Sequence, residues 1–137
     1  DISVSVAVPD GFVTPVVRNA DTKSVLNIAE EVRELAARAR LKTLAVEEIT
    51  QGTFSISNLG MFGIDEFSAV VNPPEGAILA VGRAREAAVV RDGALAVGRR
   101  MTLTLSCDHR AVDGAVGAAF LAELRGLLEH PMRILTG

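Results

Sequence analysis

Apolar and polar side chains alternate from the first residues of the chain. Ile2, Val4, Val6 and Val8 are separated by Ser3, Ser5 and Ala7, the period-two pattern of a half-buried strand. Pro9, Asp10 and Gly11 then read as a turn, and the extended run 12–17 is placed to pair back as a hairpin. After Ser24 the period changes. Val25, Ile28, Ala29, Val32, Leu35, Ala36 and Ala39 recur at helical spacing behind that serine, a good N-cap, with the charges on the outer face. The helix should end near residues 40–42, where cations suit a helix C-terminus. Residues 43–49 predict a short helical turn.

Alternation returns over 53–58, with Phe54 and Ile56 on one face and Thr53, Ser55 and Ser57 on the other. Gly52, Gly60 and Gly63 bracket this strand and its loop, which predicts sharp turns or close backbone approaches. Asn72, Pro73, Pro74, Glu75 and Gly76 punctuate a second loop. The largely apolar runs 77–91 and 94–107 are joined by Asp92 and Gly93, a strong two-residue hairpin signal, and predict long antiparallel strands. Residues 115–129 place Ala119, Phe120, Leu124, Leu127 and Leu128 on one helical face, and Pro131 stops them. Strands interrupted by two separated helices predict an α+β fold, a mixed sheet with helices packed on it.

Composition narrows the function classes. The 137 residues are 49% hydrophobic and 23% charged, a packed globule of about one domain rather than a disordered segment. A net charge of −3 removes the basic footprint of a nucleic-acid binder. A lone cysteine, Cys107, cannot form an internal disulfide. The apolar runs are far shorter than the ~20 residues that span a bilayer, so no membrane partner is expected. The first residue is Asp1 rather than methionine, and a strand pattern begins at once, so the N-terminus reads as a cut end.

Reactive side-chain types cluster at 106–114, between the last strand and the last helix: Ser106, Cys107, Asp108, His109, Arg110 and Asp113. Histidine can take and return a proton near neutral pH, yet His109 by itself reads equally as a structural or surface residue. Asp113 alone reads as the N-cap of the final helix. Cys107 and His109, two apart in a strand, would share a face, which leaves a thiolate–imidazole pair open; a small inert hydrophobe is the simpler reading of Cys107. With two histidines and one cysteine, no metal-ligand spacing repeats, and no metal is expected.

The stretch Asp108-His109-Arg110-Ala111-Val112-Asp113-Gly114 resembles the D-H-R-x-x-D-G signature of the catalytic domain of the dihydrolipoyl acyltransferases of 2-oxoacid dehydrogenase complexes. Gly52-Thr53-Phe54-Ser55-Ile56-Ser57-Asn58-Leu59-Gly60, the following Met61-Phe62-Gly63, and Val71-Asn72-Pro73-Pro74 resemble that family's other characteristic block, in wording closest to its acetyl-transferring, pyruvate dehydrogenase branch. A third block, D-G-x-x-x-P-V-x-R-x-A-D, runs from Asp10 to Asp21.

The resemblance implies a chloramphenicol-acetyltransferase-like two-layer sandwich. It also implies an activity: transfer of an acetyl group between the dihydrolipoamide of a lipoyl domain and coenzyme A. His109 would be the general base for the attacking thiol, and a positioned base is typically worth ~10²–10⁴ in rate. Ser57 would donate to the oxyanion of the tetrahedral intermediate. Asp113 would be a scaffold for His109, a role compatible with capping the helix. Phe67 and Leu79 would line the channel near the pantetheine arm of coenzyme A, although both also read as ordinary core. The site would lie between subunits of a homotrimer, with His109 facing Ser57 of a neighbour, and the trimers would assemble into a larger core with other dehydrogenase-complex subunits.

On this resemblance, residues 1–137 form the C-terminal portion of a single catalytic domain whose N-terminal part is absent, with no lipoyl or subunit-binding domain. The compartment would be bacterial cytoplasm, or the mitochondrial matrix in a eukaryote. Twelve arginines against two lysines favour a GC-rich bacterial genome. A non-catalytic core component is the alternative reading, against which the presence of His109 speaks. A related antibiotic acetyltransferase is a third, from which the N-P-P loop points away.

Overall fold

The computed structural model describes residues 1–136. Its centre is a five-stranded mixed sheet. Strand β1 (Ile2–Val4) lies between β4 (Val16–Val17), antiparallel, and β5 (Phe54–Asn58), parallel. Strand β6 (Ala77–Val81) runs parallel to β5, and β9 (Leu103–Cys107) closes the far edge antiparallel to β6. Two separate hairpins are formed by β2 (Val6–Val8) with β3 (Gly11–Val13), and by β7 (Arg85–Arg91) with β8 (Ala94–Arg100). Helix α1 (Val25–Arg40) packs on β2 and β4, while α2 (Gly114–Glu129) packs on β9 and is followed by the short α3 (Met132–Thr136). The expected α+β architecture of mixed sheet and helices is the observed one.

Local chemistry explains the elements. Ser24 caps α1, its hydroxyl accepting from the Asn27 amide at 3.1 Å. Leu35 and Ala39 of α1 are buried together with Val6, Val16 and Val17, the core at this end of the sheet. The predicted turn over 43–49 is a single 3₁₀ turn, Val46–Glu48. Asp92 and Gly93 both take left-handed backbone angles, φ 51° and 77°, as a tight hairpin turn requires.

Four expected strands are each broken in two; one of them, 12–17, becomes β3 and β4. The alternating run 2–8 divides at Ser5, whose amide makes the last bond to β5, to the Ile56 carbonyl; beyond it β2 pairs with β3 instead. The runs 77–91 and 94–107 break where residues 64 and 65 cross over Gly82. A Cβ at Gly82 would lie 1.9 Å from the Asp65 carbonyl oxygen, so only glycine admits the crossing. The inner halves, β6 and β9, join the central sheet; the outer halves form the β7–β8 ribbon, whose Val90, Leu95 and Val97 are exposed. The predicted buried face of α2 is only partly covered. Gly117 alone is buried, Leu124 and Leu127 are half-buried, and Phe120 and Leu128 are exposed, because the helix approaches β9 through its first turns.

The register sorts the central sheet into two faces. Ile2, Val4, Phe54, Ile56, Leu79, Leu105 and Cys107 share the apolar one, on which α2 lies, with the Phe120 ring centred 5.6 Å from that of Phe54. Ser3, Ser55, Ser57, Ala80, Thr104 and Ser106 share the other. No helix among the described residues is long and apolar enough to cross a membrane.

Candidate active site

The cluster at 106–114 is the junction between β9 and α2. The β6–β9 ladder ends with Ala77 opposite Cys107, and one further bond, from the Asp108 amide to the Gly76 carbonyl at 2.8 Å, carries it past the strand. Asp108 then organises a tight turn. Its carbonyl accepts from the Ala111 and Val112 amides, both at 2.9 Å. Its carboxylate accepts from the Arg110 side chain, Nε at 3.0 Å and Nη2 at 2.8 Å, and from the Arg110 amide at 3.0 Å. The bidentate guanidinium, first, and the Arg110 backbone amide, second, hold the Asp108 carboxyl at about 2, well below its ordinary 3.8.

His109 stands in this turn and is exposed. Asp113 opens α2, its Oδ1 accepting from the Val116 amide at 2.9 Å, so the expected N-cap is present. Cys107 packs away from the turn. Strand β9 stops at Cys107, whose Sγ lies against Gly117 of α2, 3.4 Å from where a Cβ there would be, while His109 is out in the turn.

Ser57 lies elsewhere. It is half-buried in β5 between two flanking strands, level with Ala80 of β6 and Thr104 of β9. The His109 turn lies beyond Gly76, four residues back along β6 from Ala80, a rise of roughly 13 Å at ~3.3 Å per residue. One chain therefore does not bring Ser57 and His109 together. Leu79 is buried at the sheet centre, 6% exposed, opposite Ile56 and Leu105 and on the other face from Ser57. Phe67 is half-buried in the irregular segment between β5 and β6. Neither residue of the Ser57–His109 pair lines the cleft of about 710 Å³ between α1 and β4, or the smaller one of about 220 Å³ beside Glu75.

One polar cluster is not legible in the sequence. Glu75 is 7% exposed, and its carboxylate accepts from Ser3 Oγ at 2.7 Å and from Ser55 Oγ. Ser3 and Ser55 are register partners on the sheet face that also carries Ser57. The signal was present as serines alternating with apolar residues in two strands, but a pattern cannot say which strands pair. Among the described residues, no group of three His, Cys, Asp or Glu side chains is placed to hold a metal ion.

Comparison with known proteins locates this arrangement. The family model described as "2-oxoacid dehydrogenases acyltransferase (catalytic domain)" matches residues 1–136. The dihydrolipoyllysine-residue acetyltransferase component of the pyruvate dehydrogenase complex of Rickettsia bellii is 46% identical over 135 residues, 98% of this chain and 32% of that protein. The mitochondrial component of Dictyostelium discoideum is 44% identical over 138 residues, 22% of its length. The chain thus spans about a third or less of these relatives.

Among solved structures, the cubic core of a pyruvate dehydrogenase multienzyme complex superposes with a TM-score of 0.93 at 41% identity, covering 98% of this chain and 55% of that one. The Azotobacter vinelandii dihydrolipoamide acetyltransferase, investigated for the role of a serine, a histidine and an asparagine in its catalytic mechanism, gives 0.92 at 42% identity with the same coverages. With the family model matched over 136 residues and the blocks around Ser57 and His109 placed on this sheet, the chain belongs to the acyltransferase family of the 2-oxoacid dehydrogenase complexes, in its catalytic domain.

Proposed function

We propose that these residues are the C-terminal portion of one acetyltransferase catalytic domain, which moves an acetyl group between coenzyme A and a dihydrolipoyl group carried on a separate lipoyl domain. His109 takes the proton of the attacking thiol. A thiol with an ordinary pKa of ~8.5 is only a few per cent thiolate at pH 7, so the step needs a base. The thiolate adds to the thioester carbonyl, and the Ser57 hydroxyl donates to the oxygen that becomes negative. Collapse of the tetrahedral intermediate breaks the other carbon–sulfur bond, and the departing thiolate receives the proton from His109.

The observation that carries this reading is a match of spacing. In the Azotobacter vinelandii enzyme the three investigated residues are separated by 52 and then four positions, as are Ser57, His109 and Asp113 here. The third is asparagine there and aspartate here. An amide and a carboxylate are equally good N-cap acceptors, but an amide has no titratable proton, so Asp113 acts as a scaffold for the His109 turn rather than as an acid.

Separation of Ser57 and His109 within one chain supports a site shared between subunits, His109 of one facing Ser57 of the next in a homotrimer. Phe67 would line the approach of the pantetheine arm; Leu79, behind the sheet, would support that wall from within. Trimers would assemble into a larger core with lipoyl domains and other complex subunits, in the bacterial cytoplasm or the mitochondrial matrix.

Acetyl transfer from acetyl-CoA to dihydrolipoamide, assayed in the complete catalytic domain with His109→Ala beside it, tests the proposal. The variant is expected to lose ~10²–10⁴ in kcat. Unchanged turnover in the variant sinks the mechanism, and no turnover in the unaltered domain favours a non-catalytic core component.

A further inference from the structure

We infer that Glu75 is a positioning residue for His109, resting on the role proposed above for that histidine. Glu75 closes a short path between the two candidate catalytic elements. At one end its carboxylate accepts the hydroxyls of Ser3 on β1 and Ser55 on β5, two residues from Ser57 on the same face. At the other end the carbonyl of the next residue, Gly76, accepts the Asp108 amide at 2.8 Å. A Cβ on Gly76 would lie 3.5 Å from Ala111 Cβ and 3.9 Å from Val112 Cγ2, so the turn that bears His109 folds close over this residue.

Burying a carboxylate is costly unless it is hydrogen-bonded, and a loop that only needed closing could use an apolar side chain. Two directional bonds instead fix residue 75, and hence the Gly76 carbonyl, against the paired strands β1 and β5. The same cluster explains Gly52. A Cβ there would lie 2.0 Å from Ser3 Oγ and 2.7 Å from Glu75 Oε2, so the position is kept open for the carboxylate.

The test uses the complete catalytic domain. Glu75→Ala should lower kcat by roughly 10–100-fold, the scale of an ångström-sized misplacement, with KM for acetyl-CoA and for dihydrolipoamide unchanged. Glu75→Gln, whose amide oxygen still accepts one serine hydroxyl, should recover most of the loss. Hydrogen exchange supplies a readout independent of turnover. The Asp108 amide should exchange faster in Glu75→Ala while the β7–β8 hairpin amides keep their rates. If Glu75→Ala does not fold, Ser3→Ala, which leaves the Ser55 bond, should show both effects at smaller size.

Wild-type kcat in Glu75→Ala beside an inactive His109→Ala overturns this inference alone. Equal losses in the alanine and glutamine variants, with faster exchange across the hairpin as well, make Glu75 a general stabiliser and also overturn it. Full activity in His109→Ala removes the proposed mechanism instead, and Asp108 exchange then still reports whether Glu75 orders the turn.

Discussion

At the Ser57 end of the central sheet, position is set by the ladder; at the His109 end, it is set by a turn. Ser57 lies one residue past the last β1–β5 pair, Val4 with Ile56, and its register partner on β6, Ala80, is 1% exposed, so its hydroxyl is carried by backbone held in the β5–β6 ladder. His109 lies past the last ladder pair, exposed, with the Asp108–Gly76 bond, the Asp108–Arg110 clamp and the Asp113 cap as its supports. The contrast would suit the two tasks proposed for these residues. An oxyanion donor works by being preorganised where charge develops, whereas a base must meet a thiol and then return the proton.

The largest expected effect comes from mixing subunits. Ser57→Ala should lose about 10² or more in kcat, and His109→Ala a comparable or larger factor. Refolding the two variants together should then restore a readily measured fraction of turnover, because some interfaces regain both groups. Mixtures no more active than either variant alone would place both groups in one chain's site and break the comparison.

Next in size, Leu79→Ala should cost ~2–5 kcal/mol of stability, the usual range for a buried leucine, with little change in the KM for coenzyme A. A raised KM at unchanged melting temperature would instead put Leu79 in the substrate channel.

The smallest effect concerns acid. Because the Asp108 carboxyl is held at about 2 against an ordinary 3.8, its link to Arg110 stabilises the fold above roughly pH 4 and is lost as pH falls through about 2. Asp108→Asn should therefore be less stable than the unaltered domain at neutral pH, and the difference should shrink from about pH 4 downward and be gone only well below pH 2. A gap as large at pH 2 as at neutral pH would show that the turn is held by something other than this ion pair.

Much of the fold was legible from period and punctuation. Ser24 and Asp113 marked the starts of α1 and α2, Asp92-Gly93 marked the hairpin turn, and the alternation of 53–58 sorted Ser57 from Phe54 and Ile56. These are local choices, decided within a few residues by capping, turn geometry and side-chain alternation. The strand breaks at Ser5 and Gly82 were not legible, because each depends on a distant segment: past Ser5 the chain exchanges β5 for β3 as its partner, and at Gly82 the Asp65 carbonyl crosses it.

For the site, the sequence by itself determined the chemical identities, a serine and a histidine in blocks characteristic of one family. Only the tertiary structure decided that the pair sits at opposite ends of one sheet, and that Glu75 lies buried between Ser3 and Ser55. The physical reason is the same in both cases. Spacing along a chain limits which chemistry is available, but the parallel register of β1, β5 and β6 sets which side chains meet, and that register is a property of the assembled sheet.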